Sequence, residues 1–90
     1  MEKAIEFAKH AIGLSRKKPY KRHGKFFYKP YRNFYSACKQ DCEVWDALVA
    51  QGYAKGGKKD RYGGREYWLT RSGLDWLGSR LNIHIYDEEE

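Results

Sequence analysis

A nine-residue segment, GGKKDRYGG at positions 56–64, constrains the fold of this chain more than any other part of the sequence. Its four glycines are too many for a helix, and short strand-like runs lie on both sides of it, at residues 53–55 and 66–70. This arrangement predicts a β-hairpin with a long tip that carries three basic residues. Helical patterns before and after the hairpin place the chain in the α+β class.

The first half of the chain contains two predicted helices. Residues 2–12 place apolar side chains on one helical face, and Gly13 follows where a helix needs a left-handed cap. Residues 31–38, which follow Pro30, repeat aromatic and apolar side chains at positions i, i+3, i+4 and i+7. This spacing predicts a short second helix.

Two further helices flank the predicted hairpin. The third begins after Asp41, a predicted N-cap, and ends at Gly52. The fourth begins after a predicted N-cap at Thr70 and ends at Asn82. Together the patterns predict a three-helix core, a β-hairpin and a C-terminal helix.

Two short strands are predicted outside the hairpin. Residues 25–29 are an apolar run bounded by a glycine and a proline, and residues 83–86 alternate as an edge strand does. Residues 14–24 include five basic residues within seven positions and show little periodicity, which predicts a solvated loop.

The length and composition indicate a single domain. The 90 residues are 41% apolar and include 15 aromatic residues, enough for one core over residues 1–86, followed by an acidic tail at residues 87–90. Two cysteines are too few for a disulfide framework and indicate a reducing compartment. Since the sequence has no apolar run near the roughly 20 residues of a membrane span, we expect a cytoplasmic protein, in a bacterium or a phage-infected host, without membrane contact.

Positive charge is concentrated in the first half of the chain. The formal net charge is +6, and residues 7–40 contain ten lysine and arginine residues but no aspartate or glutamate. Segregation of this kind points to an anionic partner.

Part of the sequence resembles the winged helix-turn-helix family. The segments that carry the resemblance are LVAQGYA at 48–54, the basic glycine loop, and YWLTRSGLDWL at 67–77, which fits the frequent Leu-Thr-x-x-Gly turn into a helix. The resemblance covers residues 41–81 and implies a small winged helix-turn-helix fold with residues 53–70 as its wing. In size and style the chain also resembles small proteins of phages and prophages.

The resemblance implies nucleic-acid binding, with DNA favoured over RNA. Winged-helix DNA-binding proteins place the third helix in the major groove, while cations of the wing contact phosphates or the minor groove. We expect a non-catalytic protein that contacts mainly the nucleic-acid backbone. The predicted contacts come from the basic loop and the wing: Arg16, Lys17, Lys18, Lys21, Arg22, Lys25, Lys58, Lys59, Arg61, Tyr62 and Arg65.

Seven aromatic residues are interleaved with basic residues between positions 20 and 35. Such a mixture suits base stacking beside phosphate contacts, but aromatic side chains in a small domain more often form its core. We favour packing for this group and expect Tyr20 and Tyr28 to be its exposed members.

The third helix raises an alternative function. Asp41, Glu43 and Asp46 would face a polyanion if this helix entered the major groove, and no lysine or arginine lies between positions 41 and 51. An acidic helix suits a module that docks on a basic host or phage protein, or on a second copy of this chain. This hypothesis explains the helix better and the basic segments less well.

Catalysis, cofactors and metals have no support in the sequence. The three histidines belong to separate predicted elements, and none lies in a motif with a nucleophile. Cys38 and Cys42 do not provide the four ligands of a structural zinc site. We therefore expect no enzymatic activity, no cofactor and no metal.

Overall fold

In a computed structural model that describes residues 2–14 and 17–86, helices form at three of the four predicted positions. Helix α1 spans Glu2–Ala11, α2 spans Cys42–Ala50 and α3 spans Arg71–Leu81. Each is followed by a residue with left-handed backbone, and the next amide donates to a carbonyl five residues earlier. These are Schellman caps, and their left-handed residues are Gly13, Gly52 and Asn82.

The predicted helix over residues 31–38 is wrong. Strand β3, Tyr35–Ala37, lies there instead, and one 3-10 turn, Lys39–Asp41, leads from it into α2. The backbone of this segment forms hydrogen bonds with other elements. For example, the Phe34 amide donates to the Ala11 carbonyl at 3.0 Å. The domain is therefore α+β, as expected, but its described residues form three α-helices instead of four.

The predicted hairpin is confirmed and belongs to the first of two sheets. Strands β4, Ala54–Lys59, and β5, Arg65–Leu69, pair antiparallel, and β3 pairs antiparallel with the other edge of β5. The register shifts between Gly56 and Lys59, which leaves one extra residue in β4. The sheet order is β3-β5-β4.

The second sheet has the order β1-β2-β6. Strand β2, Lys25–Tyr28, and strand β6, His84–Ile85, agree with the sequence analysis and pair in parallel. Strand β1, Tyr20–Arg22, lies in a segment predicted as loop. It forms because His23 and Gly24, both with positive φ, make a two-residue turn that joins β1 to β2.

Aromatic side chains occupy much of the core between α2 and the first sheet. The fully buried Trp45 ring lies 5.4 Å from Tyr67 and 5.2 Å from Tyr35, centroid to centroid. Tyr28, which we expected to be exposed, is buried, and its hydroxyl donates to the Ile12 carbonyl at 2.7 Å. Tyr20 is exposed, as expected.

Over the described residues, the structure contains no helix with the length and apolar character needed to cross a bilayer.

Candidate nucleic-acid interface

The hairpin formed by β4 and β5 is called the wing below. Asp60 fixes the conformation of its tip. Its Oδ1 accepts hydrogen bonds from the amides of Tyr62 and Gly64 at 2.8 and 2.9 Å. Gly63 adopts a φ of +86°, which favours glycine, and the Cys42 thiol donates to its carbonyl at 3.7 Å. The tip is therefore a defined turn that is attached to the start of α2.

The wing exposes most of the side chains predicted to contact nucleic acid. Lys58, Lys59 and Arg61 are exposed, and the Tyr62 side chain is 79% exposed. The Arg61 guanidinium lies 5.8 Å from the centre of the Tyr62 ring. Lys55, on β4, is a further exposed cation that we did not include among the predicted contacts.

Arg65 differs from the other predicted contacts because its guanidinium is bound within the domain. It donates to the carbonyls of Gly56 and Gly57 and pairs with Asp46 at 3.4 Å. These carbonyls lie where the register of β4 shifts, so the arginine satisfies acceptors of the bulged strand. A side chain at Gly56 would occupy the space of this guanidinium.

The other predicted contacts lie around the hairpin formed by β1 and β2, called the first hairpin below. Lys21, Arg22 and Lys25 are exposed on β1 and β2, and Lys17 and Lys18 are exposed before β1. Arg16 lies outside the described residues, as does the acidic tail at residues 87–90. The two predicted groups of cations therefore belong to different sheets.

Apart from Arg65, the cations of the wing and of the first hairpin make no ion pair with any described residue. The described part of the chain contains three such pairs, Lys9 with Glu6, Arg65 with Asp46, and Arg71 with Asp75. The remaining cations of the two hairpins keep their charge available for an external anion.

The three acidic residues of the alternative hypothesis have different environments. Asp46 accepts a 2.6 Å hydrogen bond from the Tyr67 hydroxyl in addition to its contact with Arg65. Asp41 is half-buried and accepts from the Tyr35 hydroxyl and the Cys38 thiol, both at 3.4 Å. It lies at the N-cap position of α2, as predicted, but its side chain makes no capping hydrogen bond. Glu43 is exposed.

Two of these contacts alter tyrosine ionisation. Burial raises the pKa of Tyr67, and the hydrogen bond to Asp46 raises it further. Burial also raises the pKa of Tyr35, with a second contribution from the negative charge of Asp41. Both phenols therefore stay protonated and donate to their carboxylates at neutral pH.

The described residues contain no group of three or more histidine, cysteine, aspartate or glutamate side chains arranged to hold a metal ion. Comparison of the chain with protein-family models, with curated proteins and with solved structures gives no match.

Proposed function

We propose that this protein is a non-catalytic nucleic-acid-binding domain that contacts mainly the phosphate backbone, with DNA as the favoured ligand. The observation that carries the proposal is the exposure of eight cations on and beside two hairpins, none of them in an ion pair of the described chain. Phosphates attract such cations, and release of counterions provides much of the affinity. The eight are Lys17, Lys18, Lys21, Arg22, Lys25, Lys58, Lys59 and Arg61.

We further propose that the fold is a variant of the winged helix. The elements α1, β3, α2, β4, β5 and α3 follow one another in an order that supports this interpretation, with the 3-10 turn Lys39–Asp41 in place of a second helix. The hairpin of β1 and β2 is inserted between α1 and β3. The exposed side chains of α2 include Glu43 and Asp46 but no lysine or arginine. This helix is therefore poorly suited to enter a major groove, and the hairpins are the better candidates for DNA contact.

The cytoplasm is the compartment we propose, because the exposed thiol of Cys38 is free and suits a reducing environment.

Docking of α2 on a basic protein has less support. Asp46 and Asp41 accept hydrogen bonds from tyrosine hydroxyls of the domain itself, so Glu43 is the main acidic group of the helix left for a partner.

Salt-dependent binding of duplex DNA tests the proposal. Fluorescence anisotropy at several salt concentrations measures the slope of log affinity against log salt, which is about −5 to −7 for six to eight phosphate contacts. Two unrelated duplex sequences should give similar affinities, because backbone contacts do not read the base sequence. Absence of salt-dependent binding would overturn the proposal.

Matched charge variants locate the contacts. Replacing Lys58, Lys59 and Arg61 with glutamine removes three predicted contacts and should make the salt slope shallower by about 2 to 3. The control replaces Lys3, Lys29 and Arg80 with glutamine, which changes the net charge equally at exposed positions away from the wing. Equal losses in both variants would contradict a specific role for the wing.

A further inference from the structure

The outer face of the sheet β1-β2-β6 collects aromatic and basic side chains from distant parts of the chain. Tyr20 pairs with Phe27 and Arg22 pairs with Lys25 across β1 and β2, so all four side chains project from the same face. His84 pairs with Phe27 across β2 and β6 and lies on this face too. We call the rings of Tyr20, Phe27, His84 and Tyr86 the aromatic row.

The rings of this row lie close to one another in a regular arrangement. Tyr20 and Phe27 stack at 5.8 Å between centroids, and Phe27 and Tyr86 stack at 6.0 Å. His84 meets Tyr86 edge-on at 4.6 Å. Three near-parallel rings thus follow one line across the sheet.

The row lies on the face of the sheet opposite to the one that enters the core at its Tyr28 and Ile85 end. Tyr28 and Ile85, whose side chains project from that other face, are both almost fully buried. By contrast, the Tyr20 side chain is 50% exposed and His84 is exposed. The row is therefore open to solvent at Tyr20 and His84, while Phe27 and Tyr86 are half-buried.

Positive charge borders the aromatic row. A cavity of about 350 Å³ opens on this face, and its lining combines three rings of the row with Arg22 and Lys25. The three rings are those of Tyr20, Phe27 and Tyr86. Strands β1, β2 and β6 contain no aspartate or glutamate. Planar rings next to cations, without carboxylates in the strands, match the stacked bases and phosphates of a nucleic-acid strand.

We propose that the aromatic row is a stacking platform for bases of single-stranded DNA, with Arg22 and Lys25 on the adjoining phosphates. This inference rests on the proposed nucleic-acid-binding function and assigns a preferred form of ligand to one of its two basic regions. In a duplex the base faces are stacked on each other and closed to side chains, whereas a single strand exposes them.

The first measurement compares a single-stranded thymidine oligonucleotide with a base-free oligonucleotide of equal length, which keeps the phosphates and lacks the stacking groups. We expect the base-free strand to bind at least about 10-fold more weakly, because stacking contributes substantially per base. Equal affinities would overturn the platform and leave a purely electrostatic contact.

Two variants on the same hairpin locate the site. Tyr20→Ala removes an exposed end of the row and should weaken binding of the thymidine oligonucleotide by about 5- to 100-fold, with duplex affinity changed by less than about 2-fold. Phe26→Ala is the control, since Phe26 is also exposed but projects from the opposite face of β2. Circular dichroism melting checks that both variants are folded.

Photocrosslinking with 5-iodouracil in the oligonucleotide gives a test that does not depend on a variant. We expect crosslinked peptides that contain Tyr20, Phe27 or Tyr86, and crosslinks confined to the wing tyrosine Tyr62 would overturn the assignment.

The outcomes separate this inference from the function on which it rests. If duplex DNA binds with the expected salt dependence while Tyr20→Ala leaves single-strand binding unchanged, the platform is wrong and the backbone-binding proposal stands. If neither duplex nor single strand binds, both are wrong.

Discussion

At the scale of single residues, Asp46 connects α2 to the wing. Its Oδ1 accepts from the Tyr67 hydroxyl at 2.6 Å and from Arg65 at 3.4 Å. The buried Tyr67 needs an acceptor for its hydroxyl, and the bulged β4 needs a donor for its carbonyls, which Arg65 supplies. One carboxylate on the helix thus supports the packing of the aromatic core and the position of the wing.

The pH dependence of stability should reveal the Tyr67 contact. Burial, and then the hydrogen bond to Asp46, raises the pKa of Tyr67 above its ordinary value of 10.0. The unfolded chain therefore loses this proton at a lower pH than the folded protein does. The resulting stabilisation is complete below about pH 10 and is lost as the pH rises further. We expect the free energy of unfolding, measured with urea, to fall as the pH rises above about 10.

Tyr67→Phe should lower the free energy of unfolding by about 1.5–3 kcal/mol at neutral pH, because it removes a hydrogen bond to a charged acceptor. The same variant should show a shallower alkaline fall than the natural protein. Tyr62→Phe, on the exposed wing tip, is the control and should leave both quantities unchanged. Parallel pH curves for Tyr67→Phe and the natural protein would contradict this role.

Gly73 is required by close contact rather than by unusual backbone. A methyl group on its Cα would overlap the carbonyl oxygen of Tyr53, where the chain leaves α2 for the wing. We expect Gly73→Ala to destabilise the domain by about 2–3 kcal/mol, measured by thermal or urea unfolding. Ser72→Ala, at an exposed neighbouring position, should have little effect. A loss below about 0.5 kcal/mol for Gly73→Ala would mean that the helix shifts without strain.

At the scale of elements, Thr70 holds the start of α3 to the end of α2. Its Oγ1 accepts a hydrogen bond from the Gly73 amide at 3.1 Å, which is the predicted N-cap interaction. The same hydroxyl donates to the Gly52 carbonyl at 2.7 Å. The Thr70 amide also donates to Tyr53. The Leu-Thr-x-x-Gly pattern therefore combines a helix cap with a junction between α3 and the end of α2.

Replacing this hydroxyl should cost stability and leave the fold intact. We expect Thr70→Ala to lower the free energy of unfolding by about 1–2 kcal/mol, since both hydrogen bonds of the side chain are lost. Thr70→Ser keeps the hydroxyl and should recover most of the loss. Urea titration measures both, and equal destabilisation by alanine and serine would assign the effect to the methyl group instead.

Segment 31–38 shows how an element can depart from its own periodicity. Its apolar spacing fits a helix, but the Asn33 side chain donates to the Leu69 carbonyl and accepts from the Leu69 amide, both at 2.8 Å. Strand β3 then pairs with β5, which places Tyr35 opposite Tyr67. These bonds complete the edge of β5, which a helix over 31–38 would leave without this partner.

At the scale of the whole molecule, the positions of the charged groups determine where an anionic ligand is attracted. The domain measures 47 × 23 × 21 Å, and the eight cations proposed to contact nucleic acid lie on and beside two hairpins in separate sheets. Four carboxylates follow Tyr86, at positions 87–90, and lower the net charge to +6.

Removing residues 87–90 should strengthen nucleic-acid binding. The deletion raises the formal net charge from +6 to +10 by removing four carboxylates, which lowers the repulsion of a polyanion. We expect higher affinity at about 50 mM salt and a smaller gain at about 200 mM, where screening is stronger, both measured by anisotropy. A variant with glutamine and asparagine at these positions is the control for chain length. An unchanged affinity at low salt would show that the tail charge does not reach the bound ligand.

The sequence by itself determined the elements that depend on local signals. Helices α1, α2 and α3, the wing and the Thr70 cap were predictable because apolar periodicity, glycine stops and side-chain caps act within a few residues. The exposure of Tyr20 and of the cations on both hairpins also agreed with the sequence, since long charged side chains seldom enter a core.

Tertiary structure alone decided the features that join distant residues. Four features depend on the pairing of strands from distant parts of the chain. They are the strand that forms within segment 31–38, the burial of Tyr28, the binding of Arg65 at the bulge, and the aromatic row on β2 and β6. The periodicity of a segment does not indicate which strand it will pair with. The free energy that favours one pairing comes from backbone hydrogen bonds and burial, which form only when remote segments pack together.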